Sequence, residues 1–290
     1  MTKQELEEDI CVGDIVKITT KNGEDTGRVE KFGESAVKLT NTENGKPKRI
    51  SYEFIMDYDI IADTVGLGID PESKLIPVPG TYYRIGITQV TQRLYKKVMG
   101  ENPSYFQNGN TANNPVENIS WFDAIYFCNK LSMKEGLTPA YSVDGETDPE
   151  YWGYAQHQDE SIESEIECNF DSNGYRLPTN DEWEKAANGG KSYTYSGSDN
   201  LNEVGWYGDN SNNVTHPVAQ KMANNYGLYD MSGNVWEWIW ESSSNNLIYR
   251  FNRGGCCILG ADYCEVTFRN FNKVHSRGCY LGFRLLRPLD

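Results

Sequence analysis

The chain has 290 residues, of which 38% are hydrophobic and 24% are charged, so it can form one substantial core and a small accessory domain. Its formal net charge of -15 would repel nucleic-acid phosphates, which excludes nucleic acid as an expected partner. No run approaches the ~20 consecutive apolar residues of a membrane span, and the first residues lack the features of a secretory signal. We therefore expect a cytoplasmic protein with no transmembrane segment; a cell-surface location stays open if a leader was removed.

Short runs of alternating apolar and polar residues occupy the N-terminal part, up to about residue 61. Turn-forming pairs separate these runs at Asn22-Gly23, Gly33-Glu34 and Asn44-Gly45. The pattern predicts four or five short strands, which form a small SH3-like or Sm-like β-barrel over residues 1–62. Such barrels bind peptides or nucleic acids in some proteins; the role of this one stays open between ligand binding and a structural or tethering module.

Residues 63–79 contain three prolines and two glycines, which is typical of a linker. The larger domain, residues 80–290, begins with a predicted strand from Tyr82 to Val90. A first helix is predicted from Thr91 to Gly100, and a second begins after Ser120, which caps it together with Asp123. Beyond a short helical piece at 179–188, the chain shows turns, tryptophans and short strands, so we predict an α+β domain rich in loops.

Six blocks of this domain carry a family resemblance. They are ITQVTQRLYKKVMGENPSYF (87–106), NNPVENISWFDAIYFCNKLSMKEGLTPAY (113–141), GYRLPTNDEWEKAANGG (174–190), HPVAQKMANNYGLYDMSGNVWEWIW (216–240), NRGG (252–255) and LGFRLL (281–286). In this order they resemble the signatures of the formylglycine-generating, sulfatase-modifying family. The resemblance implies a C-type-lectin fold of the formylglycine-generating-enzyme type, with irregular β structure and two main helices. Because this scaffold carries oxidases, sulfoxide synthases and binding proteins, the resemblance leaves the function open.

The resemblance also implies a structural calcium ion and no catalytic cofactor. In the family, the stretch equivalent to residues 230–237 wraps the ion with its first and last side chains and two intervening backbone carbonyls. Carboxylate and carbonyl oxygens form the hard shell that calcium prefers. The implied ligands here are Asp230, Gly233, Val235 and Glu237.

The cysteine pair of the family's copper oxidases is broken in this chain. Those enzymes use two cysteines spaced C-x4-C after a GGS-aromatic motif, because soft thiolates select Cu(I). Aligning Gly254-Gly255 with that motif places the second cysteine on Cys264 and the first on Leu259, which has no lone pair to offer. The chain is therefore predicted not to be an enzyme. A copper-dependent cysteine oxidase with a rearranged site built from Cys257 and Cys264 stays open as an alternative.

The C-terminal segment, residues 253–286, combines a family-like frame with variable residues between the frame positions. The frame residues are Arg253, Gly254, Gly255, Arg269, Arg277 and Gly282–Arg284, and the residues between them are an apolar, aromatic and polar mixture without helical or strand periodicity. A fixed frame with arbitrary insertions is typical of a paratope. The pattern resembles the variable proteins of diversity-generating retroelements, such as a spirochaete variable protein and a phage tropism determinant.

A codon pattern supports this resemblance. An Asn codon randomised at its adenines cannot become Trp, Met, Lys, Glu or Gln, and residues 256–280 contain none of these apart from Glu265 and Lys273. We therefore predict a non-enzymatic protein that binds an unknown protein or other macromolecule through a retroelement-diversified surface. The alternative is a degenerate family paralogue with a merely structural C-terminus. The predicted binding residues are Cys257, Ile258, Leu259, Asp262, Tyr263, Phe268, Asn270, Phe271, Asn272, His275, Cys279 and Tyr280.

Overall fold

The computed structural model describes residues 2–3, 15–32, 34–41, 44, 46–62, 75–109, 111–157, 162–243 and 248–289. The chain divides into two compact units. The first comprises Met1–Lys74 with Asn108–Asn113, and the second comprises Leu75–Gln107 with Asn114–Asp290. Each unit buries hydrophobic clusters of its own.

The first unit contains one antiparallel sheet. Its strands are β1 (Ile15–Thr20), β2 (Gly23–Phe32), β3 (Ala36–Asn41), β4 (Pro47–Ser51) and β5 (Ile55–Ala62), in the order β4-β3-β2-β1-β5. Alternate residues of β1 and β3 are buried, since Val16 and Ile18 face the core together with Val37 and Leu39. This period of two is the pattern of a strand with one buried face. The five strands agree with the predicted number, while closure of the sheet into an SH3-like barrel stays a prediction.

The helices of the second unit begin and end at sequence-encoded caps. They are α1 (Gln92–Met99), α2 (Trp121–Lys134), α3 (Asn180–Asn188) and the short α4 (Leu201–Val204). Thr91 caps α1 by accepting a hydrogen bond from the Leu94 backbone N–H, and the helix ends at Gly100. Ser120 and Asp123 form a capping box at the start of α2, as the sequence predicts.

Among the described residues of the second unit, short strands form three sheets. The strands are β6 (Leu75–Pro77), β7 (Tyr83–Gly86), β8 (Tyr141–Val143), β9 (Ile166–Cys168), β10 (Trp236–Ser242), β11 (Tyr249–Arg253), β12 (Arg269–Lys273), β13 (Leu281–Phe283) and β14 (Leu286–Pro288). The sheets have the orders β12-β11-β10-β13, β14-β7-β6 and β8-β9. Strands β10 and β13 pair in parallel, and β10 and β11 pair antiparallel.

Two predicted boundaries differ from the structure. The strand predicted over 82–90 is shorter, because after β7 the backbone turns to other partners: the Ile87 carbonyl accepts from Tyr229 N–H, and Val90 N–H donates to the Phe283 carbonyl. Of the predicted linker 63–79, residues 63–74 lie outside the described residues, while the remainder contains β6. Leu75 and Val78 are buried there, so the second unit begins before residue 80.

Buried indoles connect the elements of the second unit. Trp121 on α2 donates its ring N–H to the Ile239 carbonyl on β10 at 2.9 Å, and Trp238 donates to the Ile119 carbonyl at 2.8 Å. Trp183 on α3 donates to a carboxylate oxygen of Glu237 at 2.7 Å. Each indole therefore fills core volume and satisfies a buried acceptor, which is how a domain with short strands stays packed.

Candidate ligand-binding surface

Buried frame residues anchor the C-terminal segment to the scaffold. The Arg253 side chain has no exposed surface; its guanidinium lies 4.7 Å from the Trp183 ring centroid and pairs with Glu184 on α3. Arg277 donates to an Asp123 carboxylate oxygen at 3.1 Å and to the Tyr154 hydroxyl at 2.9 Å. The segment is therefore tied to the N-terminal end of α2 and to the middle of α3.

Arg284 is the anchor at the end of the segment. Its Nη2 lies 2.8 Å from Glu237 Oε1, and both side chains have no exposed surface. The same guanidinium donates to the Gly86 carbonyl at 2.7 Å and to the Tyr229 carbonyl at 2.8 Å. A fully bonded buried ion pair fixes the geometry of the groups around it, because losing either partner would leave an unpaired buried charge.

Gly255 allows the segment to pass close to itself. Its φ is +76°, and a Cβ built on it would lie 2.4 Å from Cys264 Sγ and 2.8 Å from Cys264 Cα. A side chain cannot fit there, so this frame position requires glycine. Arg269 differs from the rest of the frame because it is exposed, with its guanidinium 5.8 Å from the Phe251 ring centroid.

The predicted binding residues differ in exposure. Asp262 is exposed, as are Tyr263 at 43% and Phe271 at 54%. The half-buried members are Ile258, Leu259, Phe268, Asn270, Asn272, His275, Cys279 and Tyr280. Cys257 has no exposed surface, and its backbone is also bonded inside the domain: its N–H donates to the Asn234 carbonyl at 2.9 Å and its carbonyl accepts from Ser211 Oγ. As arranged, Cys257 therefore offers no surface for a direct contact with a ligand.

Several aromatic and apolar members of the set pack against the core. Tyr263 packs edge-on against Phe268 with ring centroids 5.1 Å apart, and Phe268 lies 6.1 Å from the Trp236 ring. Ile258, Leu259, Phe268 and Tyr280 all pack their inner sides against the main core cluster. Each of these side chains is therefore partly in the core and partly on the surface. The sequence did not indicate this, because the segment has no helical or strand periodicity.

Three of the predicted residues lie on strand β12. Successive side chains of a strand point to opposite faces, so Asn270 and Asn272 lie on one face and Phe271 on the other. Asn270 donates to the Asn252 side-chain carbonyl at 3.0 Å, whereas the Phe271 ring packs edge-on against Tyr249 at 5.8 Å. The twelve predicted residues therefore do not form one continuous face.

A cavity of about 660 Å³ borders the segment at Lys273, Val274 and His275. On its inner side the Arg250 guanidinium lies 4.2 Å from the Trp121 ring centroid and 4.9 Å from that of Trp240. Burial lowers the pKa of Arg250 to about 10. The sequence prediction did not include this cavity, whose indole walls are Trp121 and Trp240.

Burial suppresses the reactivity of the thiols in this region. Cys256, Cys257 and Cys264 have no exposed surface. Burial raises the pKa of Cys256 and of Cys264 to about 12, and that of Cys257 further. Because the thiolate is the nucleophile and metal ligand, these groups are poorly suited to the chemistry of an exposed copper site.

The predicted calcium ligands are already bonded within the protein. The Glu237 carboxylate accepts from Arg284 and Trp183, and Asp230 Oδ2 accepts from the Ala219 N–H at 2.7 Å. The carbonyls of Gly233 and Val235 accept from Gln89 Nε2 at 3.2 and 2.9 Å. Apart from Asp230 Oδ1, these oxygens accept hydrogen bonds from donors of the protein, and the Gln89 amide lies against both carbonyls, so the donor set does not fit the ion as arranged.

The fold and the sequence define a class of protein. The helices, indole-filled core and short irregular sheets form a C-type-lectin-type domain, and residues 66–289 match the sulfatase-modifying factor enzyme 1-like domain. The chain belongs to this family, so the predicted family and α+β fold class are confirmed.

Individual relatives extend the comparison. Chaperone protein LppX of Paenibacillus barcinonensis is 39% identical over 230 residues, covering 71% of this chain and 80% of its own. The inactive C-alpha-formylglycine-generating enzyme 2 of Bos taurus is 35% identical over 132 residues, covering 38% of this chain and 43% of its own. The structure of Treponema denticola variable protein 1 superimposes with a TM-score of 0.67 at 32% identity, covering 94% of this chain and 98% of that one. No helix among the described residues is long and apolar enough to cross a membrane.

Proposed function

We propose that this chain is a non-enzymatic protein that binds a protein or another macromolecule through a variable C-terminal surface. The observation that carries the proposal is the contrast within residues 253–286. The anchors Arg253, Arg277 and Arg284 are largely buried and ion-paired, whereas the predicted binding residues between them, apart from Cys257, are half-buried or exposed. Such a division allows the exposed positions to vary while the fold is kept.

The proposed display surface is smaller than the predicted set. It excludes the buried Cys257, and it excludes Phe271, which lies on the opposite face of β12 from Asn270 and Asn272. Its members are Ile258, Leu259, Asp262, Tyr263, Phe268, Asn270, Asn272, His275, Cys279 and Tyr280. The Tyr and Phe rings would supply contact area at a low entropic cost, and Asp, Asn and His would supply polar specificity.

Similarity to Treponema denticola variable protein 1 over nearly the whole chain supports a variable display surface. Retroelement diversification is a further part of the proposal, supported by the near absence of the five residue types that randomised Asn codons cannot produce. Sequencing the DNA beside the gene's 3′ end tests it. A near-repeat with adenines at the positions where this copy differs would support diversification, and a flank without any such repeat would contradict it.

A chaperone role is a second non-enzymatic candidate, favoured by 39% identity to a protein named as a chaperone. It would use the same scaffold to bind one fixed client. The two candidates differ in the expected variation, because a client-specific surface would be the same in every copy of the gene.

The copper-oxidase alternative is disfavoured by the geometry of the thiols. Cys257 and Cys264 are both buried with raised pKa values, and Leu259 packs against the core where the first family cysteine would lie. The similarity to a vertebrate protein named as inactive supports the same conclusion. A CxPxR peptide incubated with the chain and copper should remain unoxidised, and turnover of the peptide would overturn the non-enzymatic proposal.

Tolerance to substitution tests the division between surface and frame. Tyr263→Ser and Asp262→Asn should change the free energy of unfolding by no more than about 0.5 kcal/mol, because both side chains are exposed. Arg253→Met should cost ~2 kcal/mol or more, because it removes a buried guanidinium from Trp183 and Glu184. Urea unfolding followed by tryptophan fluorescence measures all three. Equal losses at surface and frame positions would contradict the proposal.

A further inference from the structure

We infer that the Gln89 side-chain amide occupies the position of a cation in the loop 230–237 and holds that loop without a metal ion. Gln89 is only 1% exposed, and its Nε2 donates to three backbone carbonyls of this loop. The distances are 3.1 Å to Asp230, 3.2 Å to Gly233 and 2.9 Å to Val235. The inference concerns the scaffold, so it holds independently of the proposed binding function.

The loop backbone creates a need for a positive group. Asp230, Gly233 and Asn234 have φ values of +56°, +96° and +65°, and the resulting turn directs three carbonyl oxygens towards one point. Gly233 is required there, because a Cβ would lie 2.3 Å from the Trp206 carbonyl oxygen. Converging carbonyl dipoles repel one another unless a donor or a cation lies between them. The amide N–H groups of Gln89 provide that donor.

Arg284 supplies the remaining positive charge. Its guanidinium donates to both carboxylate oxygens of Glu237 at 2.8 to 3.2 Å. The negative charge at the end of the loop is therefore already balanced by Arg284. Asp230 is then the one acidic side chain of the loop without a paired cation among the described residues. A divalent ion added between Gln89 and Arg284 would carry more positive charge than the loop can balance.

The loop supports the beginning of the C-terminal segment. Gly233 N–H donates to the Gly254 carbonyl at 2.7 Å, and the Asn234 carbonyl accepts from the Cys257 N–H at 2.9 Å. An amide-held loop therefore makes the position of residues 254–257 independent of calcium. The family's calcium ligands are retained in the sequence here, yet the interactions that they would make with an ion are made by side chains of the protein.

Thermal unfolding of the full chain in EDTA and in millimolar calcium tests the inference, together with the metal content of the purified protein. We expect the same Tm in both buffers and no stoichiometric calcium. A calcium-dependent rise in Tm, or one bound calcium per chain, would overturn the inference. This measurement needs no variant, so it remains decisive if every substitution at residue 89 prevents folding.

A charge variant sharpens the test. Gln89→Glu removes both N–H donors and adds an oxygen ligand, so its Tm in EDTA should fall by ~5 °C or more and recover in calcium. Gln92→Glu is the matched control, because Gln92 is similarly buried and its Nε2 donates to the Phe106 carbonyl, outside the loop 230–237; any loss there should not recover in calcium. A folded Gln89→Glu variant that is unchanged in EDTA, or that does not respond to calcium, would contradict the assigned position of the amide.

Discussion

Asp230 is buried, and its carboxylate forms no ion pair with any of the described residues. Oδ2 accepts one hydrogen bond from the Ala219 N–H, and Oδ1 has no partner among the described residues. Burial raises the pKa of Asp230 from 3.8 to about 6. The folded protein therefore favours the neutral carboxyl, and this contribution to stability is complete below pH ~4 and lost as the pH rises through about 6.

Asp230→Asn should stabilise the protein at pH 8 and leave it nearly unchanged at pH 4. The amide cannot ionise, so it avoids the cost of a buried charge, which we expect to be worth ~1–3 kcal/mol at the higher pH. Urea unfolding at several pH values measures the difference, with the exposed Asp209→Asn as the control. A loss of stability at pH 8 would show that the charge is used, as a bound cation would require.

The N-terminal end of α2 is the element that holds the middle of the C-terminal segment. The Asp123 carboxylate accepts from the Ser120 N–H at 2.9 Å, from the Tyr154 hydroxyl at 2.8 Å and from Arg277 Nε at 3.1 Å. In addition, the backbone N–H of Trp121 donates to the Val274 carbonyl at 3.0 Å. The first turn of α2 therefore also positions residues 274–277, through Asp123 and the backbone of Trp121.

Arg277→Met should loosen this segment more than the helix. It leaves the buried Asp123 carboxylate without its guanidinium, a loss that we expect to cost ~2–4 kcal/mol. Hydrogen exchange should accelerate across residues 274–281 while α2 keeps its protection. Arg269→Met is the control. Arg269 is exposed, and its guanidinium lies 5.8 Å from the Phe251 ring centroid. Equal exchange in both variants would argue against an anchoring role.

Strand β12 limits how many residues of the C-terminal segment can face one ligand. On β12, alternation directs Phe271 away from Asn270 and Asn272, although the three are adjacent in the sequence. Only half of such a strand can face one ligand. The apolar residues outside β12, Ile258 and Leu259 among them, reach the surface from loops that follow no such period.

At the scale of the second unit, the Glu237–Arg284 pair joins elements that are distant in the chain. Glu237 lies on β10, and Arg284 follows β13 and also bonds the carbonyl of Gly86 at the end of β7. The pair therefore connects the three-stranded and four-stranded sheets through one guanidinium. Trp183 adds α3 to the same carboxylate.

Arg284→Met should destabilise the second unit by ~3–5 kcal/mol, because Glu237 would remain buried without a counter-charge. Urea unfolding monitored by tryptophan fluorescence reports on this unit, where Trp183, Trp236 and Trp238 are buried. Lys130→Met removes a surface ion pair and should leave the unfolding midpoint nearly unchanged. A similar effect of the two substitutions would contradict the central role of the Arg284 pair.

The sequence by itself determined the local structure and the family. Helix starts were predicted at Thr91 and Ser120, because a cap bonds a backbone group within three residues and its signal lies in one short stretch. The strands of the first unit followed from alternation along each strand. The order of six family blocks was sufficient for the fold class, and the frame positions of the C-terminal segment were visible as interruptions in a variable stretch.

The tertiary structure decided which of these residues are available to a ligand or an ion. Cys257 is buried because the loop that contains Asn234 accepts its N–H, and the calcium ligands are occupied because Gln89 and Arg284 reach them from 146 and 47 residues away. No pattern along the chain encodes such pairings, since they depend on which elements meet in the folded core. Exposure and bonding at the C-terminal surface are therefore properties of long-range packing, whereas its helices and strands are properties of neighbouring residues.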